Sequence, residues 1–509
     1  MATPMALPPP SSEGAIDDRH IGSPPSILFT IPLEILHLIV GCVASNKGDL
    51  ASLALVNSTC RQLVRPSQFR NLHLDCSGTA LQVLTRLQEE AVQIDQPSDS
   101  TTVLASLGAH VRHLRLDTAG LPQTVPPPQK EAIIAHCLES FSHHIRPTVF
   151  LALPHLQSLT MRMCTIDDNL LDCLMQLPIK YLELQGQFPS MPQLRKARDS
   201  CSLKNLETLC IETYWSRQVI HEAALDPSDF YKSLLAACCS NLTYLDISHT
   251  KAYRGFMGTG QLEKPLSFNI EFPKLRGVRI RNMTTVDTQV LSSLVREGLT
   301  SLSIPYYDNF SELGHISTLD AVILEACEMT GSGIPIIEMN PQISSLKITG
   351  APVEFLGRVV DSLYQHNNLK CLSLEWEQNN IPEASLEKIS LLSSIEVLSL
   401  ITKYVGTLPM PRINWDNRYF KIREFVGRLS RLRHLCIRDD HFVWTLLDES
   451  DNDGETGQGF PDLHKSRMLV HATAYVQSLP LLELIHIGYL TFAVTENNGV
   501  RQPVSIGGT

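Results

Sequence analysis

The chain has 509 residues, 43% of them hydrophobic, with 42 Lys and Arg against 53 Asp and Glu and a formal net charge of -11. That balance argues against a nucleic-acid binder, which concentrates positive charge to displace counterions, and against docking on an anionic membrane surface. The apolar content suffices for a long core, and the length exceeds one ordinary domain unless repeats are added end to end.

Residues 1–27, opening MATPMALPPPSSEG, are rich in Pro, Ser and Ala and read as a disordered segment. They lack the basic start and apolar run of a secretory signal, which points to the cytoplasm and/or nucleus. No charge-free run is long enough to cross a bilayer; the best, 31–44, contains Glu34 and His37. The 13 cysteines form no CxxC pair and read as small apolar fillers in a reducing compartment.

Next comes LFTIPLEILHLIVGCV (28–43), a short apolar helix with proline at its first turn, where the missing N–H costs nothing. After SNKGD the chain resumes as LASLALVNSTCRQLV (50–64), again with apolar residues at helical spacing. Two or three helices this apolar cannot hide every face among themselves, so part of that surface is expected to meet another protein. The bland alternative is an end cap for the array that follows.

From residue 69 a phrase recurs, with apolar residues at its first, fourth and sixth positions. FRNLHLDCS at 69 is an early copy, followed by VRHLRLDTA (111), LQSLTMRMC (156), IKYLELQGQ (179), LETLCIETY (206), LTYLDISHT (242) and LRGVRIRNM (275). Later copies begin at 299, 319, 343, 369, 395, 432 and 482. The alternation within each copy predicts a strand with one buried face. Between copies lie helix-like runs such as 167–178, 229–239, 287–298 and 352–367.

One strand and one helix per unit resembles the leucine-rich repeat, whose stacked units line one face with parallel strands. Its polar ninth position is filled here only by Cys164 and Cys327, so the array is expected to be irregular. A doubly wound α/β domain is the rival reading, disfavoured because no glycine-rich phosphate turn accompanies any strand.

The stretch IPLEILHLIVGCV…DLASLALVNSTCRQLVRPSQFRNLHL resembles an F-box of the form common in fungal proteins. That pattern opens Leu-Pro-x-Glu-(Ile/Leu)-(Leu/Ile), continues Leu-x-x-Leu-x-x-Val, and ends with Arg-x-Leu and an aromatic residue, here Phe69. Ile31 replaces the usual leucine, and Cys60 stands where many members carry Phe or Trp. The resemblance implies docking on the Skp-type adaptor of a cullin-based ubiquitin ligase. Carried over by position, Ile31, Pro32, Ile35, Leu36 and Ile39 are the expected contacts of the first helix, and Leu50, Leu53, Val56 and Leu63 those of the following ones. Some of these must be intramolecular core, and the sequence does not separate the two sets.

Residues alternating with the buried ones are expected on the open, concave face. They include His113, Arg115 and Asp117, then Tyr181, Glu183, Tyr244 and Asp246, then Arg279, Arg281, Lys347, Cys371 and Glu375, and last His434, Cys436 and Arg438. Parallel strands about 4.8 Å apart make this an arc of roughly 60 Å, a scale for a protein or extended peptide.

Other motifs fail on inspection. The loop LDESDNDGETGQGF (447–460) imitates a calcium loop, but Phe460 stands where a bidentate Glu is required. The basic stretch 417–438 reads as a solvated helix, and neither His143-His144 nor Cys238-Cys239 has further ligands at metal spacing. No GxSxG, HExxH or P-loop sequence occurs, so neither catalysis nor a cofactor or metal is expected.

The expected architecture is therefore α/β: a disordered start (1–27), a short all-helical F-box (28–74), an irregular leucine-rich-repeat solenoid (75–490) with helices on its convex face, and a fraying tail (491–509). The function it implies is a non-catalytic substrate receptor of a Skp/cullin/F-box ubiquitin ligase. The F-box would hold adaptor and cullin, and the repeats an unidentified protein substrate. A scaffold that takes no part in ubiquitin transfer is the alternative.

Overall fold

The computed structural model describes residues 32–44, 46–75, 78–95, 106–117, 149–150, 152–165, 168–188, 202–215, 228–249, 268–281, 288–305, 313–325, 334–376, 381–402, 415–439 and 460–508. The expected N-terminal segment and the acidic loop at 447–459 lie outside them, as do His143, His144 and Cys327. The chain divides into two compact units, one ending at Arg70 and the other beginning at Asn71.

The described residues of the first unit form three helices, α1 (Leu33–Val43), α2 (Lys47–Val56) and α3 (Ser58–Phe69). Pro32 precedes α1, and its carbonyl accepts from the N–H groups of Ile35 and Leu36. Asn46 caps α2, its side chain accepting from Gly48 N at 3.0 Å. Asn57 caps α3 by accepting from Cys60 N at 2.8 Å, so the triplet Asn57-Ser58-Thr59 is a helix start. Val40, Leu50, Ala54 and Val64 form the core, with Val43, Leu53 and Leu63 packed against it.

Among the described residues the second unit carries one sheet of 16 strands whose spatial order is the chain order. Strands β1 (Asn71–Leu74), β2 (His113–Asp117), β3 (Ser158–Thr165), β4 (Tyr181–Phe188), β5 (Thr208–Trp215), β6 (Tyr244–His249) and β7 (Gly277–Arg281) open it. It continues through β8 (Ser301–Pro305), β9 (Ala321–Glu325), β10 (Ser345–Ala351), β11 (Cys371–Trp376), β12 (Val397–Thr402), β13 (His434–Asp439) and β14 (Leu484–Ile487). Every copy of the phrase, the early one at 69 included, is one of these strands, and β1 to β14 all pair in parallel. The fold is a leucine-rich-repeat solenoid. The strand at Asn71–Leu74, expected inside the helical part, is the first rung of this sheet.

The register repeats because the backbone repeats. In each repeat the two N–H groups that enter a strand share one carbonyl of the preceding repeat. The series runs from Gln157 and Ser158 on Arg112 O, at 2.8 and 3.0 Å, to Glu483 and Leu484 on Arg433 O, at 2.7 and 3.1 Å. Thr243 and Thr300 add hydroxyl donors to the same carbonyls at 2.8 and 3.0 Å. Within the strands, leucines such as Leu398 and Leu400 are buried while Val397 and Ser399, which alternate with them, are half-buried on the open face. Helices Asp168–Leu174, Ser228–Cys238, Thr288–Leu294 and Val353–Ser362 occupy the runs expected to be helical. Cys238 is buried at the end of one of them, and Cys239 is half-buried.

Two repeats bury a polar side chain at the place before the strand where several others bury leucine. Asn340 is buried with its amide satisfied: Oδ1 accepts from Ile316 N at 2.8 Å and Nδ2 donates to Ile336 O at 2.8 Å. Buried His366 donates from Nε2 to Ile337 O at 2.9 Å. Burial lowers the His366 pKa from its ordinary 6.5, against the backbone carbonyls that favour the charged ring. The unfolded chain therefore binds a proton that the folded one refuses. Stability is fully present above pH about 6.5 and falls as pH drops below it towards the folded pKa. Urea unfolding midpoints compared at pH 7.5 and 5.5 are expected to show this loss, and His366→Gln to flatten it. Glu90 adds a second loss further into acid. Burial opposes its charge, but Gly108 N, Leu107 N, Ser106 and Arg86 outweigh that and hold the pKa below 4.5.

The C-terminal residues, expected to fray, extend the sheet instead. Strands β15 (Leu490–Asn497) and β16 (Val500–Gly508) form an antiparallel hairpin beside β14. Its turn is Asn498-Gly499, with φ of 52° and 77°, the left-handed pair that a tight two-residue hairpin requires. Pro503 removes one donor from this last strand, as suits an edge. Arg501 donates to Leu479 O at 2.8 Å and to Leu482 O, tying the hairpin to the end of helix Phe460–Ser478.

Candidate protein-interaction surfaces

Each unit offers one surface with binding character. In the helical unit the structure separates core from surface among the residues singled out from sequence. Leu36 and Leu50 are buried, and half-buried Leu53 and Leu63 pack against the core cluster, so these four support the unit. Pro32, Ile35, Ile39 and Val56 are exposed, the last three at 45%, 41% and 61%. Ile31 lies outside the described residues. Leu38 and Leu55, exposed at 65% and 79%, join the surface set and were missed from sequence. Helix α1 is apolar nearly all round, so helical periodicity gave no sign of which side faced in. Cys60 is buried.

The open face of the solenoid sheet carries the residues expected there. From β2 to β7 it is a chain of ion pairs. Arg115 meets Asp117 at 2.6 Å, Arg162 meets Glu183 at 2.8 Å, and Arg281 meets Asp246 at 3.1 Å. The Tyr181 hydroxyl donates to Glu183 at 2.8 Å, and burial together with that carboxylate pushes its pKa well up. A Cβ on Gly277 would come within 2.6 Å of the Tyr244 ring, so the bare glycine is what lets that ring lie across β7. Burial, and then the charges of Asp246 and Glu183, raise the Cys210 thiol to about 12, which makes it a poor nucleophile. Burial raises Cys371 and Cys436 as well.

The basic stretch at 417–438 is helix Trp415–Val426 followed by β13, and three of its cations have polar partners on neighbouring elements. Lys421 pairs with Glu383, Arg433 meets Glu483 at 3.2 Å, and Arg418 donates to Thr402 at 3.0 Å. Among the described residues no group of three or more His, Cys, Asp or Glu is placed to hold a metal ion. No described helix is long and apolar enough to cross a membrane.

No family model matches the chain, and no curated protein matches it. Among solved structures, a leucine-rich-repeat protein of Leptospira interrogans is similar over 84% of this chain and 92% of that chain, at 14% identity and a TM-score of 0.26. At that score the likeness carries no argument. The reading of the fold as a leucine-rich-repeat-like solenoid rests on its own strand ladder, in which each repeat pairs in parallel with the next from β1 to β14.

Proposed function

We propose that the chain is a non-catalytic substrate receptor of a cullin-based ubiquitin ligase, with α1 to α3 docking on a Skp-type adaptor and the solenoid holding a protein substrate. The observation that carries this reading is the helical unit's uncovered apolar surface. Ile35, Leu38, Ile39, Leu55 and Val56 stay exposed on a unit whose described core is small, centred on Val40, Leu50, Ala54 and Val64. Large apolar side chains left in water on so small a unit are the usual mark of an interface. The F-box pattern in the same helices supplies the identity of the partner, and the long open face of the solenoid supplies room for a substrate.

Co-elution of the purified chain with a Skp-type adaptor and cullin tests it, followed by assay of ubiquitin conjugates. A stable ternary complex that promotes conjugation supports the receptor. A chain that binds the adaptor but recruits no cullin favours the scaffold reading, and a chain that binds neither removes the adaptor role.

A further inference from the structure

Resting on the protein-binding reading of the solenoid, and independent of adaptor docking, we infer that its open face reads an acidic, extended segment of its partner. Arg279 and Lys347 take the carboxylates, and Ile323 takes an apolar side chain between them. These residues occupy the central position of their strands. Strand pairing aligns Arg279 with Ser303 and Ser303 with Ile323, and Ile323 with Lys347, so the four form one row across β7 to β10.

What sets this row apart is how loosely its cations are held. On the same face Arg115, Arg162 and Arg281 grip their carboxylates at 2.6 to 3.1 Å. Arg279 reaches across β8 to Glu325 on β9 at 3.5 Å, the limit of a hydrogen bond, and its buried Nε has no partner. The hydroxyl of Ser303, on the intervening strand and 2% exposed, has none either. Buried donors without acceptors are rare in folded proteins and ask for a cause. Glu325 thus stands in weakly for a carboxylate brought by another molecule. Lys347 is exposed and Ile323 half-buried on the same face.

The row also fixes the spacing. Three strand separations of about 4.8 Å put the two cations about 14 Å apart, which four residues of extended chain span at about 3.3 Å each. The preferred ligand therefore carries acids at positions i and i+4 with an apolar residue between them.

Titration of the full-length protein with labelled Gly-Glu-Ser-Leu-Ser-Glu-Gly, followed by fluorescence anisotropy, tests the inference. Saturable, salt-sensitive binding is expected, weakened about tenfold by Arg279→Gln and severalfold by Lys347→Gln, as for loss of one partly desolvated charge contact. Glu325→Gln removes the internal competitor and is expected to tighten binding, a sign that a merely structural role does not produce. Equal binding of the Gln-for-Glu peptide, binding only when phosphoserine replaces both glutamates, or no saturable binding at millimolar peptide each overturns it. Co-elution with the adaptor, measured on the same preparations, separates failure of this inference from failure of the receptor reading.

Discussion

Ile39→Asp, or Leu38→Asp, is expected to abolish capture of a Skp-type adaptor while leaving the helical unit folded. Both side chains are exposed, at 41% and 65%, so a carboxylate there stays hydrated in the free protein. In the complex the same carboxylate would be stripped of water inside an apolar contact, and losing a central anchor costs about 2–4 kcal/mol of affinity. Titration calorimetry with the adaptor reads this loss, and circular dichroism confirms the retained helix. Leu50→Ala is the contrasting control. Leu50 lies in that small core, and its truncation is expected to cost about 2–5 kcal/mol of stability, which so small a unit cannot absorb. Loss of binding in Leu50→Ala would therefore accompany loss of helix, whereas in Ile39→Asp it would not.

The second large effect concerns the solenoid. Asn340→Ala is expected to lower stability by about 3 kcal/mol or more. It strips the partner from the Ile316 N–H and from the Ile336 carbonyl, both held at 2.8 Å, and orphaned buried groups cost about 1–3 kcal/mol each. Asn340→Leu restores the volume that Leu392 and Leu429 supply at the matching place in other repeats, yet leaves the Ile316 N–H unpaired. It is expected to recover only part of the loss. Urea unfolding of the two variants beside the parent measures both; a fully stable Asn340→Leu would mean that packing, and not the amide, decides this site.

The solenoid was readable because a two-residue alternation broken by helical runs repeats along the chain, and every copy of that phrase is a strand. What the sequence did not reveal has physical causes. The apolar residues of α1 run round the helix, so burial there depends on where α2 and α3 pack, a tertiary property. Asn340 and His366 break the leucine pattern and look like noise until the carbonyls facing them are known. The C-terminal hairpin carried a local signal in Asn498-Gly499, overlooked because the flanking residues follow the alternation weakly. On the open face, alternation correctly predicted which side chains point outward. The looseness of Arg279 beside the tight pairs of Arg115, Arg162 and Arg281 is a matter of ångströms across strands, which spacing in a sequence cannot express.

Amide hydrogen exchange of the full-length protein, recorded with and without a purified Skp-type adaptor, addresses the central claim most directly. Docking through the helical unit predicts new protection within residues 33–56 and unchanged exchange in the strands of the solenoid. Protection confined to the sheet, or no change in those helices at saturating adaptor, would contradict it.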